Sequence, residues 1–374
     1  MSETSDSETV VANAFERDED PLIEFEPTFK VLGPDAFDLF VGECVQERDL
    51  AESTVAGYWR TIDQWREFMD RQDRHEACPS EQHVRGFVDY LTEERDNHPY
   101  TIQSKLRRLN EAYEYWQQSP AFPHQSDFNP FALVMSKVSF TPEEEQKGYP
   151  SLSVSELRGV IQTVEHIRDR LIILLQFKLG IRASELCNIK LEEIDLQSEA
   201  VRNGYPELGV HRSLSGRPNA LYVPHDRARN KSCRPRVLPV DDEVGQLLDR
   251  YLCNRPDTGT SWLILSKEGH NQMSHTDVNN VWKSAFHPVY EETKHHRAIG
   301  SHFGRHFFTT YWRIEQNLDR RLIRYMRGDR AEGLSIMDRA GIDEYIHTYY
   351  EDVESIYRER YPRLIAVERR EFTR

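Results

Sequence analysis

The chain has 374 residues, of which 38% are hydrophobic and 30% are charged, and its formal net charge is −15. This length is typical of two domains, each able to bury a core of its own. No apolar run approaches the roughly 18 residues of a membrane span, and the first residues lack the basic and apolar regions of a secretory signal. We therefore expect a cytoplasmic protein.

The charge is distributed unevenly along the chain. Residues 1–28 contain nine acidic residues and one arginine, and we expect residues 1–33 to form a disordered acidic tail. Residues 294–330 contain nine Lys/Arg against three Asp/Glu, and residues 225–236 contain five against one. These basic islands predict a positive groove on a surface adapted to high salt, which favours a halophilic source. The alternative is that the acidity only keeps the protein soluble.

Cysteine and histidine spacing argues against a bound metal. The cysteines are odd in number, widely spaced and without a CxxC pair: Cys44, Cys78, Cys187, Cys233 and Cys253. His295 and His296 lie near His302 and His306, but no cysteine or carboxylate stands at ligand spacing beside them. We predict neither a disulfide framework nor a zinc site, and no cofactor.

The first half of the chain reads as a helical domain over residues 34–135. Gly33-Pro34 is expected to open its first helix, Ser53 to cap a second and Ser80 a third. A fourth helix is predicted from about 101 to 116, and it carries three basic residues beside its apolar face: Lys105, Arg107 and Arg108. A solvated helix face is the more common explanation of such a cluster.

A second domain is predicted over residues 151–374, after a linker at 136–150. Ser153 and Glu156 have the spacing of a capping box, and Gly180 stands where a helix-ending glycine is expected. Short strand-like runs at 221–223 and 237–240 indicate a β-hairpin within otherwise helical sequence. The predicted fold is therefore mainly α with a small β-hairpin sheet.

Two candidate functional residues lie in the first half of this domain. Arg182 follows the turn at Gly180-Ile181 at the start of a short helix, where a guanidinium could hold a phosphate, although an ion pair with Glu185 is the plain alternative. Lys231 lies on the turn of the hairpin and could reach into a DNA groove, although a solvated turn lysine is the default.

Two further groups lie towards the C-terminus. His302 and Arg305 are three residues apart and share a helix face, which would join an acid/base group to a second phosphate clamp. His306 points elsewhere and is expected to be structural or to support the site indirectly. Residues 345–361 are rich in tyrosine, a pattern that aromatic packing of an amphipathic helix also explains.

Taken in order, these groups resemble the tyrosine recombinases, the family that includes the Xer proteins and phage integrases. LGIRASEL (179–186) is similar to the family's GLRxSEL box, KSCRPRVLP (231–239) to its lysine hairpin, and SHFGRH (301–306) to its HxLRH box with Gly304 in place of leucine. Tyr345-Ile-His347 is similar to its YxH segment. Four boxes in the right order form a strong signal.

This resemblance implies a helical core-binding (SAM-like) domain, a catalytic domain and DNA strand exchange through a 3′-phosphotyrosine, without a cofactor. It implies five catalytic residues: Arg182, Lys231, His302, Arg305 and Tyr345. It also implies that basic side chains contact DNA: Lys105, Arg107, Arg108, Arg229, Arg234 and Arg236. The partner would be double-stranded DNA with specific recombination sites, bound by a homotetramer that is monomeric or weakly associated when free.

One box departs from the family pattern. Where the family has LGH, this chain has Met326-Arg-Gly-Asp329, so Asp329 stands at the place of a phosphate-facing donor. We predict that Asp329 is not a phosphate ligand, and place it with Glu185 and His306 among residues that act indirectly. A DNA-binding relative without catalysis and a type IB topoisomerase remain alternatives to a recombinase.

Overall fold

A computed structural model describes residue 14 and residues 20–48, 50–141, 147–329 and 339–365, without the side chains of 339–348. The chain divides into two compact units, residues 1–146 and 147–374. Both are mainly helical, and the second contains a two-stranded antiparallel sheet, which confirms the predicted fold class. None of the helices in the described ranges combines the length and the apolar character needed to cross a membrane.

The N-terminal unit is a bundle of helices around an aromatic core. The rings of Trp65, Phe87 and Trp116 are fully buried at its centre. Its helices are α1 (Glu26–Val31), α2 (Ala36–Phe40), α3 (Glu52–Arg71), α4 (Glu81–Glu93), α5 (Pro99–Gln118) and α6 (Pro130–Lys137).

Three expectations for this unit need correction. Residues 20–31 are part of the fold rather than of a disordered tail, because Leu22 and Phe29 are buried in the core and Arg74 donates to the Asp20 carboxylate at 2.7 Å. The remaining residues of that tail up to 19, apart from 14, lie outside the described residues. The cap of α2 is Asp35 rather than Gly33-Pro34, since its carboxylate accepts two backbone N–H groups. Helix α3 begins at Glu52 after Ala51, so Ser53 lies within its first turn.

Other boundaries agree more closely with the sequence. Ser80 caps α4 in a capping box. Helix α6 extends past the expected domain end at 135, and Phe140 is buried in the same core, so the N-terminal fold reaches into the predicted linker at 136–150. The division between the units falls within that linker, at Gln146 and Lys147.

The C-terminal unit surrounds a helix that is buried on all sides. Its helices are α7 (Val154–Thr163), α8 (Ile167–Leu179), α9 (Ala183–Cys187), α10 (Glu199–Gly204), α11 (Asp242–Leu252), α12 (His275–Phe286), α13 (His302–Thr310), α14 (Arg320–Arg327) and α15 (Arg339–Arg360). Helix α8 packs against α11, α12 and α13, and its apolar run 171–175 is fully buried. The capping box of Ser153 and Glu156 and the left-handed Gly180 that ends α8 are both confirmed.

The sheet lies beside the last helix of this unit. Strands β1 (Ala220–Val223) and β2 (Arg236–Pro239) pair antiparallel, as the hairpin pattern predicts. In the register that they adopt, Leu221 lies opposite Leu238. Helices α14 and α15 both pack against β2. Residues 224–235 form the connection between the strands, and this connection carries Lys231.

Candidate active site

Arg182 is placed by the turn between α8 and α9. Gly180 has φ +60°, and a side chain there would clash with the ring of Phe308, so the turn requires glycine. Arg182 then caps α9, and its backbone N–H donates to the Glu185 carboxylate at 2.8 Å. Its guanidinium donates to Glu185 Oε1 at 3.2 Å and to Asp329 Oδ1 at 3.0 Å. The ion pair with Glu185 considered from the sequence is therefore formed.

Arg305 lies beneath this turn on helix α13. Its side chain is 3% exposed and donates to the carbonyl oxygens of Gly180 at 2.8 Å and Arg327 at 2.9 Å, and to Asp329 Oδ1 at 2.7 Å. Burial and the neighbouring charges of Arg182 and Arg236 lower the pKa of Arg305 to about 9. The fold thus brings two guanidinium groups together although 122 residues separate them in sequence.

Asp329 joins the two arginines. A single carboxylate oxygen, Oδ1, accepts from both Arg182 and Arg305, and the other, Oδ2, lies 2.8 Å from Arg327 Nε. The residue that departs from the family pattern is therefore bound to both candidate phosphate clamps.

Glu185 forms the base of the cluster. It is fully buried and pairs with the equally buried Arg236, whose Nη2 lies 2.9 Å from Glu185 Oε2. Burial alone would raise the pKa of this carboxyl, but the charge and hydrogen bonds of Arg236, with bonds from Ser232 and the Arg182 N–H, lower it to about 2. Glu185 is accordingly ionised and links the Arg182 turn to strand β2.

Lys231 is exposed at the surface beside this cluster. The two residues that follow it are tied down, because the Ser232 hydroxyl donates to Glu185 and the Cys233 N–H donates to the Gly328 carbonyl at 3.0 Å. The lysine backbone is therefore held from the C-terminal side while its side chain reaches solvent. It lies in the connection before β2 rather than at a tight hairpin tip.

The other side of the same connection is held by residues that follow helix α9. Asn188 donates to the Ala228 carbonyl at 2.9 Å and to Asn230 Oδ1 at 2.8 Å, and Arg227 forms a salt bridge with the buried Glu193 at 2.5 Å. These residues were missed from the sequence. Asparagine and arginine are common in turns, and their partners lie about 34–42 residues away, so no local pattern marks them.

The two histidines of α13 have separate surroundings. His302 is exposed at the first position of the helix, and desolvation followed by the charges of Arg305 and Arg182 lowers its pKa. His306 is also exposed and packs against the Tyr149 ring at 5.2 Å. His302 is thus a neutral imidazole near neutral pH beside the guanidinium cluster.

Gly304 is explained by the packing of α13. A Cβ atom at this position would lie 2.9 Å from the Trp282 ring and 3.1 Å from Gln176 Cβ. Trp282 is fully buried and donates to Gln176 Oε1 at 2.5 Å. In this chain the tryptophan of α12 fills space next to Gly304, so the leucine of the family pattern does not fit.

Helix α15 carries the tyrosine-rich stretch. It begins at Arg339, so Tyr345 lies inside the helix. The side chain of Tyr345 lies outside the described residues. Three other tyrosines of this stretch are buried, Tyr350, Tyr357 and Tyr361, and the last two donate to carbonyl oxygens of α8. Tyr349 is half-buried and stacks on Tyr325 at 5.5 Å.

The predicted DNA contacts of the C-terminal unit divide into two groups. Arg229 is exposed, so its contact with DNA stays a prediction. Arg236 is 0% exposed and donates to Glu185, Ser232 and the Met326 carbonyl, so the prediction that it contacts DNA is wrong for this structure. Arg234 is 3% exposed, which likewise removes it from the surface. The local sequence pattern does not show that the arginines of this segment are buried rather than exposed.

In the N-terminal unit, the basic residues of α5 differ in their exposure and in their contacts within the protein. Arg107 is exposed. Lys105 donates to Asn97 Oδ1 at 3.2 Å, and Arg108 donates to the Gly57 carbonyl at 3.0 Å and lies over the Tyr58 ring. Arg108 therefore helps to pack α5 on α3, while Arg107 projects from the helix.

The sequence of the C-terminal unit matches a known protein family. Residues 151–329 match the phage integrase family. The chain is 24% identical over 325 residues to the tyrosine recombinase XerC of Staphylococcus epidermidis strain RP62A. The alignment covers 85% of this chain and 94% of that protein.

Solved structures show the same fold. The Tn1549 transposon integrase in complex with transposon right end DNA aligns with a TM-score of 0.58 and 18% identity, over 83% of this chain and 99% of that one. A lambda integrase tetramer bound to a Holliday junction aligns with a TM-score of 0.55 and 14% identity, over 90% of each chain.

Proposed function

We propose that this chain, whose residues 151–329 match the phage integrase family and which is 24% identical to a tyrosine recombinase XerC, is a tyrosine recombinase that cuts and rejoins DNA at specific sites through a 3′-phosphotyrosine intermediate. The observation that carries this mechanism is the pair of guanidinium groups, Arg182 and Arg305, which share one anionic oxygen. The same donors suit an oxygen of a phosphate group, whose charge rises in the transition state. Their positions are fixed by the fold before substrate binds.

The arginines would stabilise the pentacoordinate phosphorane. The hydroxyl of Tyr345 attacks phosphorus with His302 assisting removal of its proton, and the bond to the 5′ oxygen breaks as Lys231 protonates that oxygen. The products are a 3′-phosphotyrosine and a free 5′-hydroxyl. A 5′-hydroxyl from the partner duplex then reverses the step, and no external energy is needed because the phosphodiester energy is kept in the link.

The surroundings of the side chains support these roles. Lys231 is an exposed cation on an anchored backbone, which lets the ammonium group reach a bound strand. The lowered pKa of His302 favours the neutral imidazole that a proton acceptor requires.

Burial separates the candidate nucleophiles. Tyr350, Tyr357 and Tyr361 are each no more than 7% exposed, and burial raises the pKa of each hydroxyl. A phosphate in a DNA strand cannot reach these hydroxyls without disruption of the core. Tyr345 and Tyr349 remain, and the YxH pattern assigns the nucleophile to Tyr345.

The partner is double-stranded DNA bearing specific recombination sites. Arg107 and Lys105 of α5, together with Arg229 of the β1–β2 connection, would contact its phosphates. We further propose that the protein acts as a homotetramer on two duplexes in the cytoplasm. We also propose that the acidity of the rest of its surface is an adaptation to high salt in a halophilic source.

A paired plasmid assay tests this function. Target sites are first mapped by trapping covalent protein–DNA complexes in the surrounding genomic DNA. A plasmid with two copies of the site is then compared with a supercoiled plasmid lacking it. We expect exchange between the two copies and little relaxation of the plasmid without the site. Relaxation without exchange would instead indicate a type IB topoisomerase, and binding with neither reaction a non-catalytic relative.

A further inference from the structure

Asp329 covers the deeper of the two arginines. The side chain of Arg305 is 3% exposed, whereas those of Arg182 and Asp329 are 23% and 26% exposed. The carboxylate therefore lies towards solvent and Arg305 beneath it. A phosphate approaching from solvent meets Asp329 before it meets Arg305.

The carboxylate also occupies the donors that a phosphate would use. Arg305 Nη2 donates to the Arg327 carbonyl and to Asp329 Oδ1, which accounts for both of its hydrogens. Asp329 Oδ1 accepts a further hydrogen bond from Arg182 Nη2 at 3.0 Å. One oxygen held by two guanidinium groups is the arrangement expected for a non-bridging phosphate oxygen, and a second anion beside it would be repelled.

Neither arginine depends on Asp329 for its position. Arg305 is fixed by the carbonyl oxygens of Gly180 and Arg327, and Arg182 by Glu185. Loss of the carboxylate therefore leaves both side chains with anchors, which argues against a purely positioning role.

Asp329 can leave this position by rotation of its side chain alone. Its backbone N–H donates to the Arg324 carbonyl at 3.0 Å, and the preceding Gly328 is bonded through both its N–H and its carbonyl oxygen. Arg327, with 30% of its side chain exposed, already lies 2.8 Å from Oδ2 and provides an ion-pair partner nearer the surface.

From these observations we propose that Asp329 is an autoinhibitory cap, a carboxylate that occupies the phosphate position between Arg182 and Arg305 in the free enzyme and is displaced by the scissile phosphate. This inference rests on the proposed function, because it assigns the capped position to the DNA phosphate. It explains how a carboxylate is tolerated where the family pattern has a donor. An anion binds the arginines only by displacing an anion already there.

The test is the binding of inorganic phosphate to the full chain without DNA. Thermal unfolding is followed against phosphate concentration at constant ionic strength for the wild type and for Asp329→Asn. Removing the competing carboxylate should tighten the apparent dissociation constant for phosphate by roughly three- to tenfold. Glu315→Gln serves as the control, since it removes an exposed carboxylate from the same basic segment away from the cluster. It should match the wild type.

Two further variants sharpen the result. Asp329→Ser also lacks the carboxylate and should show the same gain, so the conclusion does not depend on how the asparagine amide packs. Adding Arg182→Ala to Asp329→Asn should remove the gain. An unchanged or weaker response of both Asp329 variants, or an equal gain in Glu315→Gln, would overturn the cap.

The cap and the proposed function fail separately in these experiments. A wild-type protein that recombines DNA while Asp329→Asn gains no phosphate affinity refutes only the cap. A phosphate gain in Asp329→Asn alongside absent recombination and absent covalent adduct refutes the assignment of the capped position to a scissile phosphate.

Discussion

Replacement of Glu185 by glutamine should destabilise the C-terminal unit more than any other neutralisation in the site. Glu185 and Arg236 are both fully buried, and the variant removes the carboxylate that pairs with Arg236. Breaking such a pair costs about 3–5 kcal/mol. The lowering of the Glu185 pKa from 4.5 to about 2 gives a similar figure, about 3 kcal/mol in favour of the ionised form.

The cost can be measured on each unit separately by hydrogen exchange at increasing guanidinium concentration, with peptides followed by mass spectrometry. We expect the free energy of unfolding of residues 147–374 to fall by about 3–5 kcal/mol, while peptides from α4 and α5 stay unchanged as an internal control. The double variant Glu185→Gln/Arg236→Met should recover at least half of the loss, because it removes the unpaired charge. A loss below about 1 kcal/mol, or a double variant no more stable than the single one, would refute the ion-pair account.

The pH dependence has a defined sign. Since the folded-state pKa of Glu185 is lowered, its stabilisation is fully present above pH 4.5 and is lost as the pH falls towards about 2. The stability difference between wild type and Glu185→Gln should therefore shrink over that interval. A difference that stays constant between pH 5 and pH 2.5 would contradict the assignment of the low pKa to this carboxyl.

Three further outcomes are expected. Lys231→Ala should slow single-turnover cleavage at least about a hundredfold while DNA affinity changes only a few fold. Arg229→Ala, in the same connection, should mainly weaken binding. Equal losses of cleavage rate and DNA affinity in Lys231→Ala would make Lys231 an ordinary contact to the DNA backbone. The acid limb of the cleavage rate should have its midpoint below pH 6.5 and disappear in His302→Gln, because the pKa of His302 is lowered; a midpoint above 6.5 would contradict a neutral imidazole. Gly304→Ala should lower the free energy of unfolding by about 1–3 kcal/mol through its clash with Trp282, as read from denaturant unfolding, and Trp282→Phe should reduce that cost; a neutral Gly304→Ala would contradict the packing explanation.

The sequence could predict the parts of the fold that depend on local pattern. The capping box at Ser153, the helix end at Gly180 and the two short strands that contain Leu221 and Leu238 each follow from a local pattern of neighbouring residues. That residues 20–31 are part of the folded unit could not be predicted, because their structure depends on Arg74 and on core contacts with residues far along the chain. Acidic composition alone favoured a tail.

The same distinction holds in the site. Arg182, Lys231, His302 and Arg305 were predicted because their boxes have characteristic spacing, and the structure brings Arg182 and Arg305 together at Asp329. The burial of Arg236 could not be foreseen, since it depends on pairing with Glu185 at 51 residues' distance. The position of Asp329 between two arginines depends on three separate segments meeting, and only a departure from the family pattern marked it as unusual.

The measurement that tests the central claim most directly is identification of the covalent adduct on a nicked suicide DNA substrate carrying the mapped site. The free 5′ fragment diffuses away after cleavage, which traps the phosphotyrosine for peptide mass spectrometry. We predict that the modified residue is Tyr345, that Tyr345→Phe forms no adduct while binding the same DNA, and that Tyr349→Phe still forms it. An adduct on Tyr349, or strand cleavage by the wild type without any covalent link to tyrosine, would contradict the mechanism.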